Sequence, residues 1–438
     1  MSFQTWERYS LESIANQSQD PLGRIFISGL GQVNLSAVNL LHEGVDTVRQ
    51  LYHGFLKEDV LEEIRATYEL GPSHRLIDVL GRQWLLGSGG KSGYRYRLQD
   101  NDLGLILLIG SRYVEATSPG SHLKIELSPH FIDARNEEAI QGYLNTLAAR
   151  LLVNPRPVGC QVHLCVDVQG WEPPKNFLDL LVTRSRRRVD HTGIDRAEFS
   201  LSEIAAVYGN SQSYLFGLAS GLQFSMYRKD LQAKVVDKTH FWSAVWTRRT
   251  DENFVPLYNP EKPVWRLEFR FHHSVINEFA EFLAEPLMSF SDLAPHLTGL
   301  FRYAMGNFRL NAVSSASSGA SSSYRGLYID PMWQLLLQDV RILAPDQGLW
   351  YKRSRKQPGR GCEKNILLAV GNMLSIYARN GLDSLKSLAY LMESGIFEDY
   401  AEYIRSRYQL PTFQQVKNKI LEKITEGLAI RRLQGACT

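Results

Sequence analysis

The chain has little cysteine, little net charge and no long apolar run. Only four cysteines occur in 438 residues, Cys160, Cys165, Cys362 and Cys437, and no two form a C-x-x-C pair. That excludes a disulfide framework and a zinc-cluster signature, and leaves four free thiols. The formal net charge is +3, too small for the field of the whole protein to announce a nucleic-acid partner. No stretch approaches the roughly 20 consecutive apolar residues of a membrane span. The longest run, 103–109, is short and contains Gly104. The opening Met1-Ser2-Phe3-Gln4-Thr5-Trp6-Glu7 has no basic segment followed by an apolar core, so the expected compartment is cytoplasmic.

What is present describes a folding chain. With 44% hydrophobic, 22% charged and 11% aromatic residues, the composition excludes wholesale disorder and fibrous repeats. The length exceeds the roughly 250 to 300 residues at which single cores stop growing, so two or more domains are expected. Residues 1–43 read as an N-terminal arm. From Gly44 an extended segment leads to a helix at 57–70 with Val60, Leu61, Ile64 and Tyr68 on one face. Alternating runs broken by Gly, Asn and Asp turns fill 82–129, as in an antiparallel meander. A helix at 137–152 is stopped by Pro155 and Pro157, and a strand occupies 159–168. A second alternating set at 213–227 and 264–272 encloses a helix at 238–248. The expected fold is α+β, mainly antiparallel sheet with packed helices, with two related sheet halves as one option. The run 312–325, rich in Ser, reads as a loop or linker, and 326–438 as a helical C-terminal region. The first domain is therefore drawn at 44–311.

Two tempting motifs fail. Leu85-Leu86-Gly87-Ser88-Gly89-Gly90-Lys91-Ser92 lacks the first glycine of a phosphate loop and runs into a strand rather than a helix. Adjacent His272 and His273 on one strand would point to opposite faces, so they suggest no metal pair. More informative are three strands that each hold an acid: Leu123-Lys124-Ile125-Glu126-Leu127, His163-Leu164-Cys165-Val166-Asp167-Val168 and Trp265-Arg266-Leu267-Glu268-Phe269. A carboxylate in a strand centre resists burial unless paired, protonated or metal-bound, so neighbouring ones suggest a Mg²⁺ or Mn²⁺ site. The alternative is one wet sheet face, with Glu126 and Glu268 turned to solvent beside Lys124, Arg266 and Arg270. A further strand ends in Tyr227-Arg228-Lys229, a tyrosine followed by two cations that could offset phosphate charge during attack on a phosphodiester. Tyr214 is its rival. Two basic clusters, Arg184, Arg186, Arg187 and Arg188, and Lys352, Arg353, Arg355 and Lys356, read as DNA contacts or as plain solvated surface.

Taken in order, several segments resemble the replication-initiation-factor group of rolling-circle initiators, which includes plasmid and phage Rep proteins and relaxases of mobile elements. Gly44-Val45-Asp46-Thr47-Val48-Arg49 resembles its opening strand; Gly93-Tyr94-Arg95-Tyr96 and Leu123 to Pro129 resemble the next blocks. The segment 162–168 is similar to the strand of paired aspartates, Tyr214-Leu215-Phe216-Gly217 to a Tyr-Phe-Gly motif, Tyr227-Arg228-Lys229 to Tyr-Asp-Lys, and Val264 to Phe269 to the Arg-x-Glu strand. The likeness covers about 44–290. It implies an enzyme that nicks and rejoins one DNA strand at an origin through a tyrosine 5′-phosphodiester, with Mg²⁺ or Mn²⁺ polarising the phosphate. Carried over, Tyr227 is the nucleophile with Tyr214 as alternative, Asp167, Glu268 and Glu126 are metal ligands, and Lys229 and Arg266 offset charge. His163 stands where the family often has its first aspartate, Arg228 replaces the central acid of Tyr-Asp-Lys, and Gln232 sits where an acid is common. The implied partners are origin DNA, double-stranded with a single-stranded or hairpin nick site, a host helicase and a second copy in a homodimer. A relaxase and a non-catalytic origin-binding protein are the other readings.

Overall fold

The computed structural model describes residues 17–18, 23–28, 31–71, 75–133, 135–183, 185, 188–190, 194–196, 205–207, 212–312, 328–353 and 363–433. The chain divides into two compact units, Met1–Ser354 and Arg355–Thr438.

The first unit is α+β. Strands β1 (Gln17–Ser18), β2 (Ile25–Ser28) and β3 (Gly31–Asn34) form a small antiparallel sheet. The principal sheet has eleven strands: β4 (Asn39–Leu56), β5 (Leu76–Val79), β6 (Arg82–Ser88), β7 (Tyr94–Asp100), β8 (Leu105–Ser111), β9 (Gly120–Leu127), β10 (Leu152–Gln169), β12 (Arg188–Asp190), β15 (Ser213–Phe216), β16 (Leu222–Arg228) and β17 (Val264–Phe271). Their order is β12-β15-β16-β17-β10-β4-β9-β8-β7-β6-β5, every described pairing being antiparallel. Two further pairs stand apart, β11 (Leu181–Thr183) with β18 (Phe308–Leu310), and β13 (Ile194–Arg196) with β14 (Ala205–Val207).

The two central strands, β4 and β10, are each 18 residues long and lie side by side. The chain takes the same course after each of them. It leaves β4, crosses to the edge at β5, and builds a meander inward that ends in β9 beside β4; it leaves β10, crosses to the other edge at β12, and works inward to β17 beside β10. Register agrees with order. Val48 pairs with Val162, Val48 with Leu127, and Val162 with Phe271. Leu127 and Phe271 each end a strand, and the next residues, Ser128 and His272, each sit at the N-cap of a helix. This is the layout of two halves related by a two-fold axis normal to the sheet, and it explains why the alternating sets occur twice in the sequence.

Period-two alternation then sorts the two faces. Val162, Leu164, Val166 and Val168 of β10 and Leu267, Phe269 and Phe271 of β17 face one side, where they join one large core. Helices Glu137–Leu151, His273–Leu283 and Leu297–Asn307 add Leu144, Phe279 and Phe301 to that core. The first of these starts at Asn136, whose side chain accepts from the Ala139 amide, a cap worth about 1 kcal/mol. It passes directly into β10 at Leu152. Pro155 and Pro157 thus lie inside the strand, at places where the β4 register shifts and the ladder does not call on every N–H. The opposite face is polar and is covered at one end by helices Lys229–Val235 and Thr239–Trp246, through Ala233, Trp242, Val245 and Trp246.

The boundaries differ from those expected at two points. Phe26, Leu35 and Val38 are buried in the main core, so the described part of the expected arm contributes to the unit instead of standing off it. Helix Pro331–Asp339 packs Met332, Trp333, Leu335 and Leu336 into the same core, so the first unit runs on to Ser354. Most of the Ser-rich run lies outside the described residues. Among its described residues the second unit holds four helices, Glu363–Arg379, Ser384–Glu393, Phe397–Tyr408 and Phe413–Leu433, around Val370, Leu391, Val416, Ile420 and Ile424. Among the described residues no helix is long and apolar enough to cross a membrane.

Candidate active site

Strand register assembles the polar face in rows. Tyr227 of β16 is opposite Arg266 of β17, Arg266 is opposite Asp167 of β10, and Asp167 is opposite His42 of β4. One step of two residues along, Ser225, Glu268, Cys165 and Gly44 form the next row; beyond it Gln223, Arg270, His163 and Thr47 form a third. Every other residue of three adjacent strands is therefore polar and points into the space under helices Lys229–Val235 and Thr239–Trp246. Four of the residues singled out in the sequence, Tyr227, Asp167, Arg266 and Glu268, meet here, with Lys229 at the start of the covering helix.

Two charge centres sit side by side. In the first, Arg266 grips Asp167 with two hydrogen bonds, Nε to Oδ1 at 2.6 Å and Nη2 to Oδ2 at 2.7 Å. Its Nη1 also donates to Asp46. Trp246 Nε1 donates to Asp167 at 2.8 Å, and Trp242 lies over the guanidinium, 4.1 Å from ring centroid to Cζ. Burial alone would push the Asp167 carboxyl up, but Arg266 outweighs it and holds it below the usual range. In the second, Glu268 accepts from Tyr227 Oη at 2.9 Å and from Arg270 Nε at 2.7 Å, with His163 Nδ1 3.1 Å away. Burial opposes ionisation of Glu268, and Arg270 and His163 together drive its pKa well below the ordinary value.

Lys229 is buried between the centres, 4.5 Å from the Trp242 centroid, and donates to Gln232 Oε1 at 2.5 Å. Burial and Arg266 bring its ammonium down to about 8 against the pull of Asp46, Asp167 and Glu268. The Gln232 position, unusual beside the family pattern, is thus the hydrogen-bond partner of the lysine. Arg228 turns away to make a two-pronged pair with Asp230.

The group best disposed to hold a cation is Asp46, His163 and Glu268, whose donor atoms lie within 4.8 Å of one another. Two carboxylates and an imidazole fit a six-coordinate divalent ion, and the nitrogen donor favours Mn²⁺ over Mg²⁺. Burial pushes the His163 pKa down, keeping the imidazole in its neutral, ligating form. Arg266 would have to release Asp46 for the ion to enter. This grouping corrects the ligand set Asp167, Glu268 and Glu126. Asp167 is committed to Arg266 and Trp246, while Glu126, across the sheet on β9, pairs with Lys124 at 2.6 Å and Arg49 at 3.3 Å. Asp46 escaped attention because alternation from Thr47 would turn it to the core. A register shift between His163 and Leu164 leaves Asp46 unpaired in the ladder, and a bulge of this kind re-aims the side chain.

The remaining candidates separate. Tyr214 is on the other face, buried in the main core with its ring 5.0 Å from that of Phe177. Arg184, Arg186, Arg187, Arg355 and Lys356 lie outside the described residues, and Arg188 is placed only as the first backbone position of the edge strand β12. Lys352 stands 5.8 Å from the Phe282 centroid, and Arg353 is paired with Glu278 at 2.6 and 3.0 Å. Cys160 and Cys165 are buried free thiols; Cys362 and Cys437 are outside the described residues.

No family model matches the chain. It is 38% identical over 401 residues, 87% of its own length and 88% of the relative's, to a protein of Pseudomonas phage Pf1 that bears the name Uncharacterized protein ORF430. At that identity and coverage, the chain belongs to the family of the phage Pf1 ORF430 protein.

Proposed function

We propose that the chain nicks and rejoins one strand of DNA through Tyr227, as rolling-circle initiators do. The observation that carries this reading is the hydrogen bond from Tyr227 Oη to Glu268 inside a cluster of three cations. A phenol attacks phosphorus only when its proton has somewhere to go and the phosphate charge is offset. Glu268, held ionised by Arg270, accepts the hydrogen bond and aims Oη, and the phenolic proton passes to solvent as Oη forms its bond to phosphorus. The bond from phosphorus to the 3′-oxygen breaks, the freed 3′-oxygen takes up a proton, and the 5′-phosphate stays on the tyrosine. Attack by a 3′-hydroxyl on that phosphotyrosine reverses the step and rejoins the strand.

Arg266, Arg270 and Lys229 offset the charge that builds on the phosphate. An ion held by Asp46, His163 and Glu268 would add Lewis-acid polarisation of the phosphoryl oxygen when bound. Because Tyr227 is only 2% exposed, the phosphate reaches it when the helix carrying Trp242 and Trp246 moves aside. That the relative is a phage protein suits replication of phage or mobile-element DNA.

The test is a nicking assay on supercoiled DNA carrying the protein's own gene and flanks, with Mg²⁺ or Mn²⁺. Wild type is compared with Tyr227→Phe and Tyr214→Phe, and protein attached to a 5′ end is sought. Loss of the adduct in Tyr227→Phe alone is expected. DNA binding with no adduct under either ion would favour a non-catalytic origin-binding protein.

A further inference from the structure

The half-to-half correspondence in the sheet places a second polar cluster where the candidate active site has its counterpart. Carrying Val48 onto Val162 and Leu127 onto Phe271 puts Arg49 at the place of His163, Glu126 at that of Arg270, and Lys124 at that of Glu268. On the next strand, Leu108 opposes Lys124 as Ser225 opposes Glu268. The counterpart of Tyr227 is Gly110, so this position in the N-terminal half holds no nucleophile. The central acid has become a base and the base beside it an acid, while Arg49 places a cation where His163 is neutral.

That cluster opens into a cavity of about 300 Å³, lined by Arg49, Arg97, Lys124, Glu126, Gly89 and Ser92. Three cations against one carboxylate leave the pocket positive. Burial would raise the Glu126 pKa, but Arg49 and Lys124 hold it below the usual range, so the acid stays charged and fixes the two cations. The turn that brings Gly89 and Ser92 to the rim is the glycine-rich segment that fails as a nucleotide-binding loop. It cradles no nucleotide by that motif, yet it closes one side of a positive pocket.

We infer that this pocket binds a backbone phosphate of single-stranded DNA, on the same sheet face as Tyr227 and about 20 Å from it, given strands spaced about 4.8 Å apart. The inference deepens the nicking proposal and rests on it for the strand path, which runs across β9, β4, β10 and β17 to the reacting centre.

The test measures single-stranded DNA binding against salt for wild type, Arg97→Gln, Lys124→Gln and Arg65→Gln. Glutamine at 124 can still donate to Glu126, and Arg65 is a surface control of equal charge change, paired on its own helix with Glu69. Each phosphate no longer held lowers the slope of log affinity against log salt by about 0.7 on single strands. Arg97→Gln and Lys124→Gln should each lower it by about that much and bind several-fold more weakly, while Arg65→Gln keeps the wild-type slope. Unchanged slopes in both pocket variants, or no binding of single strands by wild type, overturn the inference. Equal competition by inorganic phosphate or a mononucleotide also overturns it, by assigning the pocket to a free anion. The nicking proposal is read separately by the 5′ adduct. Slopes that fall in the pocket variants while wild type forms no adduct leave the bound strand standing without the chemistry.

Discussion

The hydroxyl of Tyr227 donates to Glu268 Oε2 over 2.9 Å, from one strand to its antiparallel neighbour, with both side chains buried. Removing only that oxygen tests its role with little damage to the fold. Tyr227→Phe keeps the ring and leaves Glu268 its bonds to Arg270 and His163, so stability should fall by about 1 kcal/mol. Covalent attachment to DNA should vanish altogether. Thermal melting and the adduct assay, run on one preparation, separate the two effects. A variant that still forms the 5′ adduct removes Tyr227 from the chemistry.

Asp167 and Arg266 form a fully buried pair, and burial decides the cost of breaking it. Asp167→Asn leaves a guanidinium in the interior with Asp46 as its remaining charge partner, so a loss of about 3 kcal/mol is expected. The geometrically similar pair of Arg248 with Asp133 makes the comparison, because its arginine side chain is 57% exposed. There Asp133→Asn should cost less than about 1 kcal/mol. Denaturant midpoints of the two variants measure the contrast. Equal losses would mean that solvent reaches Arg266.

A divalent ion seated by Asp46, His163 and Glu268 should stabilise the folded chain whether or not DNA is present. At about one hundred times its dissociation constant it adds about 2.7 kcal/mol, read as a rise in melting temperature with Mn²⁺. His163→Gln should lose most of this rise, because an amide is a poorer ligand than an imidazole. Asp46→Asn should weaken it too. A full Mn²⁺ response in both variants would place the ion elsewhere.

The sequence was most legible where alternation and helical periodicity act locally. The helix expected at 57–70 is Glu58–Glu69, and the strand expected around Trp265-Arg266-Leu267-Glu268 is Val264–Phe271. Asp167 and Glu268 stand out in the sequence because a carboxylate amid apolar strand residues needs a partner, and both have partners on the face that holds Tyr227. Features that stayed hidden depend on register, which no local pattern carries. Asp46 joins Thr47 on the polar face at a bulge, and Tyr214 and Tyr227 are placed on opposite faces by the alternation of two paired strands. Glu126 obeyed the same rule as Glu268, but a two-fold layout carried it four strands from Tyr227 and gave it different neighbours. Trp242 and Trp246 gave no signal as the cover of the polar cluster because an aromatic stripe on a helix reads as core.

Lys229 offers a test by pH. Its folded pKa is about 8, below the ordinary lysine value of 10.5, with burial the largest cause and Arg266 next. Between these values the unfolded chain holds a proton that the folded chain has released. Stability therefore rises with pH through this window, and below pH 8 the folded state bears the full cost of a buried ammonium. A shift of this size corresponds to about 3 kcal/mol. Lys229→Met removes the titrating group, so the difference in unfolding free energy between wild type and variant should change by about that amount from about pH 7.5 to about 10.5, in favour of wild type. Other lysines and tyrosines that titrate in this range contribute to both proteins and cancel in the difference. The same ammonium keeps its charge at pH 7 and loses it above about pH 8, so its proposed offset of phosphate charge fades there. The nicking rate of wild type should accordingly fall above about pH 8, and a rate profile with no inflection there would remove Lys229 from phosphate charge compensation.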